Sequence, residues 1–185
     1  MNLLAEPSDE QLFRKAQKGD EAAFTTLYRR RQGGVYRFAL QMSGSEAIAE
    51  DVVQEVFLAL IRDSAPFQES RGALQPYLFG MARNIVLRHL EKSRQHLPLL
   101  PDFEVASSQD VQAEASRLQD VEAVRRAILA LPEHYREVVV LCDLQELDYE
   151  SAAIALGCAV GTVRSRLHRA RGLLVERLSS SRCVS

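Results

Sequence analysis

The stretch from Leu147 to Leu178, LDYESAAIALGCAVGTVRSRLHRARGLLVERL, constrains this chain most, because it reads as two helices joined by a tight turn. Asp148 stands where an N-cap belongs, with a side-chain oxygen available to first-turn N–H groups that lack an intrahelical partner. A Glu three residues on would complete a capping box, but position 151 is Ser. Leu147 and Ala152 flank the cap at the spacing of a hydrophobic staple. Ala152, Ala153 and Leu156 give the first helix a narrow apolar face, small enough for a second helix to approach. Gly157 follows the last apolar position, where a left-handed residue ends a helix. The second helix is predicted to begin near Val160 or Gly161. At about 100° per residue, Val163, Leu167, Ala170 and Leu174 align as its buried stripe. Ser165, His168 and Arg169 fall opposite, with Arg164 and Arg171 on one flank and Arg166 and Arg177 towards the other.

Between Ala159 and Arg182 six arginines oppose one acid, Glu176, a local net of +5 in a chain whose formal charge is −2. Cations near a helix C-terminus suit the macrodipole, and a charged face is commonly just solvated. Dipole compensation does not explain arginines already present in the first turn. A helix-turn-helix whose second helix enters the DNA major groove explains both the turn and the charge. The overall balance hides a pattern: net −3 over residues 1–70, +4 over 71–96, −5 over 97–124 and +2 over 125–185. Two basic segments are separated by an acidic one.

Everything else points to an all-α chain. Period-two alternation is missing, and the one β-branched run, Val138–Val140, lies inside a helical pattern. Ser8 or Asp9 caps a first helix closed by Gly19. A second runs from Asp20 or Glu21 to about Met42, weakened by Gly33 and Gly34. A third covers Ser45–Asp63, with Ala49, Val52, Val53, Val56, Phe57 and Leu60 buried and Asp51, Gln54, Glu55 and Leu58 opposite. An aliphatic among acids on an exposed face suits a protein partner. Residues 64–76 read as a loop that exposes Phe67 and Arg71. The helix Tyr77–Arg94 follows, burying Leu78, Met81, Ala82 and Ile85 and carrying Arg83, Asn84, Arg88, Lys92 and Arg94 elsewhere. Aromatics beside cations and an amide suit single-stranded nucleic acid, by stacking, phosphate pairing and base-edge hydrogen bonds; Tyr77 and Phe67 would equally serve as core. Residues 96–118 read as a polar, acidic linker, and helical pattern resumes with Leu118, Val121, Val124, Ile128 and Leu129. Pro132 suits the first turn of a helix reaching about Asp143.

Several classes are disfavoured. The N-terminus lacks a basic region followed by an apolar run, and no stretch approaches the roughly 20 apolar residues that span a bilayer, so a cytoplasmic, non-membrane protein is expected. Cys142, Cys158 and Cys183 form neither a CxxC nor a zinc-spaced Cys/His pair, and the Glu-x-x-His pairs of a di-metal bundle are missing. No metal, cofactor or catalytic residue is expected.

Three segments carry a family resemblance. GTVRSRLHRAR resembles the GTVRSRL-x-RAR signature of the fourth conserved region of extracytoplasmic-function (ECF, group four) sigma factors. AEDVVQEVFLAL resembles that family's polymerase-docking helix, and PYLFGMARN resembles its WL-x-x-IARN. The resemblance covers nearly the whole chain, in the right order. It implies two helical domains, a sigma-two domain over residues 1–95 and a sigma-four domain over 119–185, joined by the linker 96–118. It further implies a subunit, not itself an enzyme, that binds core RNA polymerase and directs promoter recognition, melting and initiation.

By the same resemblance, Asp51, Gln54, Glu55 and Leu58 dock on the clamp coiled coil of the largest polymerase subunit. Phe67, Arg71, Tyr77, Arg83, Asn84 and Arg88 handle the melted minus-ten strand, Phe67 and Asn84 at the pocket for an extruded base. Arg164, Ser165, His168, Arg169 and Arg171 read the minus-thirty-five duplex. An anti-sigma factor is an expected partner. The sequence departs from the family at Tyr77 for Trp, Arg88 for a frequent Asp, and Ala159 for a common Pro. His168 occupies a variable position. The alternative is a free-standing helix-turn-helix regulator, which would need a sensor domain in place of the AEDVVQEVF and MARN segments.

Overall fold

In the computed structural model, residues 6–62, 67, 72–96 and 112–182 are described. They form eight α-helices, and no strand occurs among them: α1 (Asp9–Ala16), α2 (Glu21–Ser43), α3 (Glu46–Arg62), α4 (Leu74–His96), α5 (Gln112–Leu129), α6 (Glu133–Val139), α7 (Tyr149–Leu156) and α8 (Val160–Arg182). The all-α expectation holds. Local chemistry sets most boundaries. Ser8 and Gln11 form a reciprocal capping box at the start of α1. Asp20 caps α2 through the Ala23 N–H at 2.9 Å, and α2 passes through Gly33 and Gly34 unbroken. Val138–Val140 is helical despite its branching, because all three side chains are buried. The helix then widens into a π-helical turn, Val140–Leu144.

Two boundaries differ from the sequence reading. α4 starts at Leu74 rather than Tyr77, because Glu10 of α1 accepts a hydrogen bond from the Leu74 N–H at 3.0 Å. That bond also lowers the Glu10 pKa. Pro76 fits inside the first turn, where its missing N–H costs nothing. α5 starts at Gln112, so residues 112–118 of the expected linker are helical, and residues 97–111 lie outside the described residues.

Helix α2 is the spine. It packs against α1, α3 and α4 on one side and against α5, α6 and the π turn on the other. All six residues expected to face inward on α3 are buried. The second half folds around Val138, Leu141, Leu147, Ala152, Leu156, Val163, Leu167 and Ala170. Buried side chains form a single cluster from Leu12 to Ala170, so the core does not stop between the halves.

The first helix is fastened by charge. Asp9 is buried and pairs with both Arg30, at 2.9 Å, and Arg31 of α2. Each arginine keeps partial access to water, so losing the carboxylate strands neither. Asp9→Ala is expected to lower the unfolding free energy by about 1–3 kcal/mol, read by chemical denaturation.

Candidate nucleic-acid interface

The turn between α7 and α8 is built as its sequence dictates. Asp148 Oδ1 accepts from the Ser151 N–H at 2.7 Å. Gly157 closes α7 in the left-handed region, with φ 63°. α8 then starts at Val160, with Val163, Leu167 and Ala170 buried and Leu174 half-buried. Arg164, Ser165, His168, Arg169 and Arg171 are all exposed, so the structure brings the five expected duplex-facing residues onto one outward surface.

Two of these arginines are held in place. The Arg164 guanidinium lies over the Tyr149 ring, 5.6 Å from its centroid. Arg171 makes a two-pronged pair with Asp143 of the π turn, Nε to Oδ2 at 3.1 Å and Nη2 to Oδ1 at 2.5 Å. Neither anchor was legible in the sequence. Tyr149 is fifteen residues from Arg164, and Asp143 is 28 residues from Arg171. Beneath this surface, burial pushes the Cys142 thiol up to about 11, leaving it protonated at neutral pH and a poor nucleophile.

The expected single-strand surface on α4 is more engaged. Phe67 is half-buried rather than exposed as expected. Its ring packs edge-on against Phe13 at 5.6 Å and lies 5.4 Å from Tyr77. Arg83 Nε donates to Glu137 Oε1 of α6 at 2.7 Å, and Arg83 Nη1 is 3.4 Å from Asn84 Oδ1. Arg88 pairs with Glu55. Asn84 faces solvent, and Arg71 lies outside the described residues. Asn84 thus presents an exposed amide suited to a base edge, and Arg88 is exposed as well.

On α3, Asp51, Gln54 and Leu58 are exposed, while Glu55 is committed to Arg88 and to His89, whose Nε2 lies 2.7 Å away. Ile61 extends this surface: it is 56% exposed beside Leu58 at 49%. Its place three residues after Leu58 was the signal, since i and i+3 share a helix face. Val121 and Val124 of α5 are also exposed, although their spacing suggested a covered face. Among the described residues no group of His, Cys, Asp and Glu is placed to hold a metal ion. Among the same residues no helix is long and apolar enough to cross a membrane.

Comparison with known proteins falls on the same surfaces. The family model described as Sigma-70 region 2 matches residues 27–96. The one described as Sigma-70, region 4 matches 121–174. The chain is 35% identical to the ECF RNA polymerase sigma factor SigE of Mycolicibacterium smegmatis, over 94% of this chain and 70% of that protein. It is 31% identical to the RNA polymerase sigma-H factor of Pseudomonas aeruginosa, over 91% and 93%. It is 34% identical to the ECF sigma factor SigM of Mycobacterium tuberculosis, over 94% and 86%. Among solved structures, CnrH in complex with the cytosolic domain of CnrY superposes with a TM-score of 0.73 at 26% identity, covering 94% of this chain and 99% of that one.

The cap geometry has a pH signature. The Ser151 N–H bond lowers the Asp148 pKa below its ordinary 3.8. Its stabilisation is therefore complete above that value and disappears as pH falls through the lower folded value. An NMR titration is expected to place the Asp148 midpoint below 3.8, with the Ser151 amide resonance moving in step. A midpoint at or above 3.8 would mean that the cap is not formed in solution.

Proposed function

From the premise that the chain belongs to the ECF sigma factors of RNA polymerase, we infer how its surfaces divide the family's task. The protein binds core RNA polymerase and directs it to promoters. The finer assignment is that α3 docks on the clamp coiled coil of the largest subunit through Asp51, Gln54, Leu58 and Ile61, with Glu55 positioned by Arg88 and His89. Helix α4 and Phe67 handle the minus-ten strand, Asn84 reading the extruded base while Tyr77, Phe67 and Phe13 form the aromatic wall behind it. Arg83 and Arg88 supply positive charge there once released from their carboxylates, and Arg71 would extend that surface. Helix α8 reads the minus-thirty-five duplex, with Arg164 and Arg169 placed for guanine, and Ser165 and His168 beside them. Arg171, tied to Asp143, orients the helix against the backbone.

One observation carries this assignment: an outward arginine face with preset guanidinium groups and an acidic helix face with exposed aliphatics occur in the same chain. A free-standing regulator has no use for the second. The sigma-two role fits residues 1–95 and the sigma-four role the segment from α5 onward, and promoter direction needs no catalytic residue. The CnrH relative is held by the cytosolic domain of CnrY. An anti-sigma factor that covers the docking surfaces is accordingly the expected regulator here, and a cytoplasmic location suits the work.

The test is transcription in vitro from promoter fragments by core polymerase with and without the chain. Promoter-dependent starts are expected only with it; their absence would reject the reading. Leu58→Asp is expected to weaken polymerase binding about tenfold or more, since it places an unpaired charge in a docked apolar contact. His168→Ala is expected to change the ranking of minus-thirty-five sequences by up to about tenfold while leaving polymerase affinity within about twofold. Equal effects on both would count against the face assignment.

A further inference from the structure

We propose that a small cavity between α2, the start of α4 and the π turn binds a phosphate-bearing anion, held by the guanidinium groups of Arg30, Arg31 and Arg37 and the amides of Gln75 and Gln145.

Size narrows the ligand. The cavity holds about 120 Å³, lined by those five residues and Gly34 among others. Clefts elsewhere on the surface hold about 440 to 540 Å³, the range that organic ligands occupy. The smaller volume suits a compact ion.

Charge sets its sign. Three guanidinium groups line the cavity and no carboxylate does. The nearby acids are engaged from the α1 side: Asp9 pairs with Arg30 and Arg31, Glu6 lies 3.3 Å from Arg30 Nη2, and Glu10 accepts from the Leu74 N–H. Asp9 takes Arg31 through Nε alone, leaving both Nη groups without a partner among the described residues. Arg37 has no ion-pair partner among them. Paired guanidinium forks match the oxygens of a phosphate better than a single ammonium would. Gln75 and Gln145 add neutral amide donors, although Gln145 Nε2 already spends one hydrogen on Gln41 Oε1.

Two glycines give independent support. Gly33 and Gly34 sit inside α2, where glycine is disfavoured, yet neither has a positive φ. Packing does not demand them either. A Cβ on Gly34 would stand 3.7 Å from Phe79 Cζ and 3.9 Å from Gln145 Oε1, ordinary contact distances. What the missing methyl provides is room in the cavity, which Gly34 lines. At Gly33 the nearest atom to such a Cβ is Arg37 Nη1, at 3.4 Å, so the bare backbone lets that guanidinium lie along the helix. Fastening α1 accounts for Arg30 and for Nε of Arg31. It does not account for Arg37 or for the glycine pair.

The site is separate from the surfaces assigned above. Gln75 lies about 180° round α4 from Asn84, at about 100° per residue. No residue of the α3 docking set lines the cavity.

The test titrates inorganic pyrophosphate into the full chain at constant ionic strength. Readouts are the side-chain N–H resonances of Arg30, Arg31, Arg37, Gln75 and Gln145, and the melting temperature. Saturable shifts with a dissociation constant below about 1 mM are expected. At tenfold that concentration the melting temperature should rise by about 3–6 °C. Arg37→Gln is expected to weaken binding about tenfold. Gly34→Ala should melt no lower than wild type without ligand, since alanine favours helix, yet weaken binding about threefold or more by filling the cavity. If Arg37→Gln does not fold, Gly34→Ala decides alone. A random-sequence single-stranded oligonucleotide, titrated in parallel, separates two sources of phosphate. Resonances moved by pyrophosphate support a site for a free phosphorylated compound; the same resonances moved by the oligonucleotide alone support a site for a nucleic-acid backbone. No saturable shift from either probe, or wild-type affinity in the folded variants, would overturn the site.

Discussion

The contact of Arg83 with buried Glu137 ties the two halves of the molecule together, alongside the packing of α7 on α4 and of α5, α6 and the π turn on α2. Arg83 belongs to α4, whose register is fixed by Glu10 at one end and by packing on α2 and α3 along its length. Glu137 belongs to α6, which leads through the π turn into the helix-turn-helix. With the pair made, α7 lies on α4 and α8 turns its arginines outward. The pair supplies register more than strength, since desolvation offsets much of its Coulomb attraction. Apolar contact around Gly80, Ala155 and the buried cluster provides the favourable term.

On the proposed duplex-facing helix, two guanidinium groups are preset. Arg164 is stacked on Tyr149, Arg171 is forked onto Asp143, and α8 is held by a buried stripe. Preset guanidinium groups lose less freedom on pairing with a base edge. The docking face differs in kind: Leu58 and Ile61 are exposed aliphatics beside carboxylates, an arrangement for a protein rather than for a polyanion.

The sequence disclosed what neighbouring residues decide. Ser8, Asp20, Asp148 and Gly157 each cap a helix through groups within a few residues, and each boundary lies where those residues put it. The buried face of α3 and the stripe of α8 were readable because helical periodicity is local. Contacts distant in sequence were not readable. Glu10 caps α4 from 64 residues away, and Arg83 reaches Glu137 across 54. Phe67 looked exposed because its loop carries no pattern; Phe13, which covers it, sits in another helix. Residues 112–118 looked like linker because they continue a polar segment with little periodicity, yet composition alone does not forbid a helix there. The outward arginine face of α8 was thus legible almost whole, and the polar set on α4 only as residues whose present partners tertiary packing decides.

The central claim, that one chain carries a polymerase-docking face on α3 and a promoter-reading face on α8, reduces to what each face touches. Photo-crosslinkers placed at exposed Ile61 and at exposed His168 would report it in the complex with core polymerase and promoter DNA. The account predicts that the first label joins polymerase and the second joins promoter DNA. Labelling of polymerase alone from both positions would contradict it.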